Sequence, residues 1–276
     1  MIFVDAHVHI YDCFDLELFF DSAFANFKSE ASRLGQQDAF TGILLLTETS
    51  KDKWFERLTD YADNKDGNGN KAIGDWAFHH TDENCSLYAR GGKNQGLFLI
   101  AGRQIVTAEK LEVLALATDK SLKDGAPIEQ VIQSLQDIGA IPVVPYGLGK
   151  WIGRRGKILR DLLKKTERTK LFLGDNGGRP KFLPRSSHFK QAEKRGIRVL
   201  PGSDPLPFPF ECQRAGGFGF SFLGSINFEH PARDLKKILM DTSTYFQEYG
   251  RLESPYRFFR NQLAMQIKKR LRKENR

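Results

Sequence analysis

The feature that most constrains this chain is the alternation of short apolar runs with amphipathic stretches along most of its length. Residues 2–10 (IFVDAHVHI) alternate apolar and polar side chains, the period of a strand with one buried face. Residues 15–34 carry a helical stripe of Leu16, Leu18, Phe19, Phe20, Phe24 and Phe27, and 42–46 (GILLL) is a short buried strand. A helix is expected at 51–63 and a turn-rich loop at 65–71 (KDGNGNK). Residues 75–117 break the rhythm with WAFHH, CSLYAR, LFLIAGRQIV and LEVLALAT, and GGKNQG at 91–96 has the composition of a hairpin turn. Alternation then resumes: helix 127–138, strand 141–145, helix 153–166, strand 170–174, helix 186–195 and strand 197–201. The glycine- and phenylalanine-rich stretch 215–228 reads as one more strand packed in the core, and helices at 231–240 and 254–273 follow.

Repeated β-then-α units predict a parallel sheet covered by helices. Their number within 276 residues predicts an α/β fold of the (β/α) TIM-like barrel type, with a distorted seven-stranded form admitted. The β-rich meander near 75–117 is expected to be inserted into that barrel or to merge with it. No internal repeat and no Pro/Ser linker divides the chain, so residues 1–276 are expected to form a single domain.

In such a barrel, ligands bind at the C-terminal strand ends. Those ends supply Asp5, His7 and His9, then Thr47, Glu48 and Thr49, then Tyr146, Gly147 and Lys150, then Asp175, Asn176 and Arg179, and last Ser203 and Asp204. His7 and His9 are two residues apart on a strand, so both imidazoles are expected on one face as a pair of metal ligands. The Tyr146–Trp151 loop offers Lys150 as a point charge for an anion, and Asp175–Pro180 offers Arg179 as a bidentate clamp. Other histidines read as structural. His79 and His80 are expected at the surface or in packing, and His188 and His230 at helix starts or the surface.

FVDAHVHIY resembles the first-strand motif of the amidohydrolase superfamily and of the PHP (polymerase and histidinol phosphatase) family, and GIRVLPGSDPLP resembles their late-strand Gly-Ser-Asp motif. LLLTETS, LIAGRQIVTAEKLEVLAL and GAIPVVPYG resemble PHP segments between the two. The resemblance implies a PHP-like barrel and a metal-dependent hydrolase acting on a phosphoester or another anionic substrate. It implies one divalent ion (Zn, Mn or Fe) held by His7, His9 and Asp204, with Asp175 or Glu48 as general base or extra ligand. Lys150, Arg154, Arg179, Tyr146 and Asn176 would contact the substrate. The chain departs from the PHP pattern at Thr49, Gln104, Glu112 and Tyr146, where histidines or a glutamate are usual, and at Pro205-Leu206 after Asp204. These departures motivate the alternative of a catalytically degenerate binding or regulatory protein.

The net charge of +8 is concentrated at Lys150–Arg160 and at Lys268, Lys269, Arg270, Arg272, Lys273 and Arg276. An anionic substrate is expected, and nucleic acid is a second partner expected to meet the basic C-terminal helix. No run of 18 or more apolar residues predicts a membrane span. The N-terminus lacks the pattern of a secretory signal. Cys13, Cys85 and Cys212 form no CxxC pair or disulfide framework, which fits a reducing cytoplasm. Cys13 is expected to be buried.

Overall fold

The computed structural model describes residues 1–36, 40–63, 72–92 and 95–274. The strands are β1 (Ile2–Val8), β2 (Thr41–Leu46), β3 (Ala72–Ile73), β4 (Trp76–His80), β5 (Ser86–Arg90), β6 (Gly96–Ile100), β7 (Gly102–Val106), β8 (Glu112–Leu116), β9 (Ile141–Pro145), β10 (Phe172–Asn176), β11 (Val199–Gly202), β12 (Phe218–Phe222) and β13 (Gln247–Gly250). The helices are α1 (Leu16–Arg33), α2 (Trp54–Ala62), α3 (Ile128–Asp137), α4 (Gly153–Lys165), α5 (Ser187–Lys194), α6 (Pro231–Met240) and α7 (Pro255–Glu274), with a 3-10 turn at Pro209–Arg214. The loop expected at 65–71 lies outside the described residues.

The strands form an eight-stranded sheet, β13-β12-β1-β2-β6-β5-β4-β3, and a five-stranded sheet, β11-β10-β9-β8-β7. Both are mixed. β1, β2 and β6 are parallel, as are β9, β10 and β11, while β12 runs antiparallel to β1 and β8 antiparallel to β9. The expected TIM-like barrel is therefore wrong, and with it the PHP-like barrel domain: neither sheet closes on itself.

Two local causes explain the opening. Ile2–Val4 of β1 is laddered to β12 on one side and to β2 on the other, so no free edge remains there for β11. The run read as one strand, LFLIAGRQIV, breaks at Ala101. Its first half pairs β2 and its second half pairs β8 in the other sheet. The meander at 75–117 is thus the switch between sheets.

The sheets still meet along two seams. At one, the Glu48 N–H donates to Gly102 O (3.2 Å) and the Gln104 N–H to Glu48 O (2.8 Å). At the other, the Asp204 N–H donates to His7 O (2.8 Å), and Asp5 Oδ1 accepts from the Ser203 N–H (2.8 Å). The space between the sheets is filled by Ile2, Val4, Ile43, Leu45, Leu114, Leu116, Val143 and Phe172, with Phe220 and Phe222 from the Gly/Phe stretch. α6 contributes Leu235 and Leu239 to the same core.

Helices cover the outer faces because their apolar stripes have nowhere else to go. α1 starts at Asp15, whose carboxylate accepts from the Leu18 N–H (3.1 Å). It buries Phe19, Phe20, Ala23, Phe27 and Ala31, one face at helical spacing, against the larger sheet. Each of these phenylalanines contributes about 1.5–3 kcal/mol by leaving water. α3, α4 and α5 cover the smaller sheet through Val131, Leu135, Leu159, Leu163 and Phe189.

Candidate metal centre and cleft

β1 delivers His7 within the strand and His9 just past its end, both buried. A register irregularity between Asp5 and Val8 loosens the pairing with β2 there. Asp5 turns its carboxylate into the seam and accepts from the His7 N–H (3.2 Å), the Ser203 N–H (2.8 Å) and, through Oδ2, the Gly216 N–H (2.8 Å). It ties three chain segments together and leaves the two histidines to face the third group.

That group is Asp204, reached immediately after β11. Its Oδ1 lies 3.5 Å from His7 Nε2 and 3.6 Å from His9 Nε2, and the two Nε2 atoms are 3.0 Å apart. Asp204 has φ of 47°, the left-handed region, where aspartate is tolerated better than most side chains. Gly202 sets the approach of the strands: a Cβ there would stand 2.3 Å from the His7 nitrogen. Only glycine lets β11 come this near to β1.

The electrostatics prepare these groups as ligands. Burial, reinforced by neighbouring His7, pushes His9 down to about 4, so the ring is neutral near pH 7. Burial works to raise Asp204, yet His7, His9 and the Asn176 amide together hold it below the usual carboxylate range. Tyr11 stacks on His9 at 5.6 Å between ring centroids, and Gln104 lies beside it. His9 Nδ1 is buried without a hydrogen-bond partner, unlike most metal-binding histidines, whose second nitrogen is held by an acceptor.

A cleft of about 860 Å³ opens beside the cluster, lined among others by Asp204, Asn176, Tyr146, Lys150, Arg179 and Lys51. Asn176 Nδ2 donates to Asp204 Oδ2. Lys150 Nζ pairs with Glu112 Oε1 on the cleft wall. Burial raises the Tyr146 hydroxyl, partly offset by Arg179, and keeps it a neutral donor.

The sequence-predicted residues therefore divide. His7, His9, Asp204, Asn176, Tyr146, Lys150 and Arg179 come together around one cleft. Glu48 does not join them. Its Oε1 accepts from the Phe55 N–H (2.6 Å) at the start of α2, and its Oε2 binds Arg103 (2.8 Å). Asp175 is locked to Arg179 by two bonds of 2.9 and 2.7 Å and also accepts from the Asn176 N–H. Neither carboxylate has a free oxygen for general-base work, and Arg179 reaches the cleft already paired. Arg154 is exposed on α4 and is not part of the cleft wall.

Among the remaining expectations, Cys13 is exposed rather than buried. His188 is buried and bonds the Gly156 carbonyl (2.9 Å) and Ser186 Oγ. His79 and His80 are exposed, and His230 stands at the start of α6 without a capping side-chain bond.

Sequence reading missed the far wall of the cleft. α7 places Phe258, Asn261, Gln262 and Met265 along it. Its start is anchored by Glu253 and Arg214, and by buried Glu211, which accepts from Asn261 Nδ2 (3.1 Å). Arg214 Nε also donates to Ser203 O (2.9 Å), directly beside Asp204. These partners are separated by up to dozens of residues and leave no spacing signal.

No protein-family model matches this chain, and no curated protein matches it in sequence. Among solved structures it is similar to PsfC from Pseudomonas syringae PB-5123, with a TM-score of 0.52 and 15% identity. The similarity covers 90% of this chain and 91% of that one. At that identity the likeness is one of fold alone.

Proposed function

We propose that this chain carries a single divalent-metal centre at His7, His9 and Asp204 and uses it to hydrolyse a phosphoester or another anionic substrate in the adjoining cleft. The observation that carries the reading is the convergence of two imidazole nitrogens and one carboxylate oxygen, all within 4.8 Å of one another. Metal–nitrogen bonds of about 2.0–2.1 Å place tetrahedral ligand atoms about 3.3 Å apart. Separations of 3.0, 3.5 and 3.6 Å fit that cage. Two imidazoles and a carboxylate are a donor set that zinc, manganese or iron accepts. Such an ion supplies Lewis-acid polarisation and a water nucleophile near neutral pH.

The chain's own residues handle the rest. Asn176 holds the second oxygen of Asp204 and so orients its first toward the histidines. Lys150 and Lys51 bring positive charge to the cleft, and the Tyr146 hydroxyl lines the same wall. Arg179, held by two bonds to Asp175, lines the same cleft with its guanidinium already oriented. A degenerate binding protein remains the second reading, favoured by the pairing of Lys150 with Glu112 and of Arg179 with Asp175.

Elemental analysis of protein purified without chelator, with a phosphatase and phosphodiesterase screen, tests the proposal. Bound metal near one equivalent and turnover that both vanish in His7→Ala support it. Absence of metal, or activity unchanged in His7→Ala, overturns it. Stoichiometric metal without turnover favours the binding reading.

A further inference from the structure

α7 leaves an apolar row uncovered on its outer side. The side facing the protein is mixed, with Phe258 buried beside Phe182, Asn261 buried against Glu211, and Met265 on the cleft wall. The side facing solvent is apolar. Tyr256 is 77% exposed, Phe259 62%, Leu263 64% and Ile267 50%. At 100° per residue, Tyr256, Leu263 and Ile267 fall on one line along the helix, with Phe259 beside it. Phe182, half exposed, stacks on Phe259 at 5.9 Å and widens the patch. Single exposed apolar residues are ordinary, but an aligned row of this length marks a surface that meets something.

The charge decides what. Pro255–Glu274 contains Arg257, Arg260, Lys268, Lys269, Arg270, Arg272 and Lys273 against the lone Glu274; Arg257 and Arg260 also lie 3.8 Å from Glu211, and Lys268 donates to Pro207 O (2.8 Å), so the helix stays strongly cationic after these pairings. A second copy of the same helix would bring this cationic charge against itself. A nucleic acid would satisfy the cations but offers no apolar depth for Leu263, Ile267 and Phe259. An aliphatic and aromatic row flanked by arginine and lysine matches a bilayer interface carrying anionic headgroups, where the row enters the acyl boundary and the cations meet phosphate. We infer that the outward face of α7 docks this protein on an anionic lipid surface. The helix that carries the row also forms the cleft wall through Phe258 and Met265, so the docked protein would hold its cleft beside the bilayer.

The test is co-sedimentation of the full chain with vesicles of phosphatidylcholine alone and of phosphatidylcholine with phosphatidylserine. The expected result is binding to the mixed vesicles that is about tenfold or more tighter than to the neutral ones, and weakened by salt. The double substitution Leu263→Glu/Ile267→Glu should lower binding about tenfold or more, and Phe259→Ser should lower it independently. Both variants replace exposed side chains, and unchanged thermal melting checks that they fold. No binding to mixed vesicles overturns the inference, as does equal binding to neutral ones. Folded variants that bind like the wild type also overturn it. A fluorescein-labelled DNA duplex bound tightly and without dependence on Leu263 and Ile267 would assign the face to nucleic acid instead. None of these outcomes depends on metal or turnover, so failure here leaves the hydrolytic proposal to its own test.

Discussion

The end of β1 and the end of β10 each present an acidic or imidazole cluster next to the same cleft, yet they are built in opposite ways. At β10, Asp175 has both oxygens bonded to Arg179, and a backbone N–H completes the set. At β1, two imidazoles and a carboxylate face one another at 3.0 to 3.6 Å, and no arginine bonds them as Arg179 bonds Asp175. A satisfied buried pair fixes geometry and is costly to break from one side. A cluster of lone pairs aimed at a common point is poor at stabilising a fold and suited to holding an ion. The same distinction separates Asp204 from Glu48, whose oxygens belong to Arg103 and the Phe55 amide.

The comparison can be broken most directly at β10. Arg179→Ala leaves a buried carboxylate unpaired and should cost about 3–5 kcal/mol in urea denaturation. A loss under about 1 kcal/mol would mean that the pair is not structural. At β1, Asp204→Asn keeps shape and tolerates the left-handed backbone but removes the anionic ligand. Metal affinity should fall by about 100-fold or more, beyond the 10–100-fold typical of outer partners, while the metal-free protein keeps its stability within about 1 kcal/mol. Titration calorimetry and a melt of the apo protein read both halves. Gly202→Ala should disturb both properties together, because its methyl meets the His7 backbone. A stability loss of about 1–3 kcal/mol with weakened metal binding is expected. Smallest in effect on the centre, Glu48→Gln should lower stability by about 1.5–3 kcal/mol through Arg103 and α2 and leave metal affinity within about twofold. A large fall in affinity there would return Glu48 to the site.

How much of this was legible depended on the range of the interaction. His7 and His9 were readable because a strand's period of two is local, and Asp204 because a Gly-Ser-Asp follows an apolar run. The element order was readable for the same reason, apart from the short β3 and β13. Closure was not, since it turns on which edges β12 and β7 occupy, and edges are filled by partners far along the chain. Glu48 and Asp204 look alike in sequence. Only the fold shows that Arg103, 55 residues from Glu48, has taken one of them. Asp175 and Arg179 stand four apart, but across a strand end and a turn, where that spacing carries none of the pairing signal it has on a helix, so sequence alone reads them as separate base and clamp. α7 was readable as a basic helix, but not the packing that leaves its apolar row facing outward.

Arg214 touches two places at once: the Ser203 carbonyl beside Asp204, and Glu253 at the root of α7. One guanidinium is therefore a shared bearing for the loop that carries Asp204 and for the helix that walls the cleft. Where ion binding at His7, His9 and Asp204 shifts this guanidinium, reciprocity requires that a ligand contacting α7 shift ion affinity by the same factor. Both ends of the cleft therefore lean on one side chain.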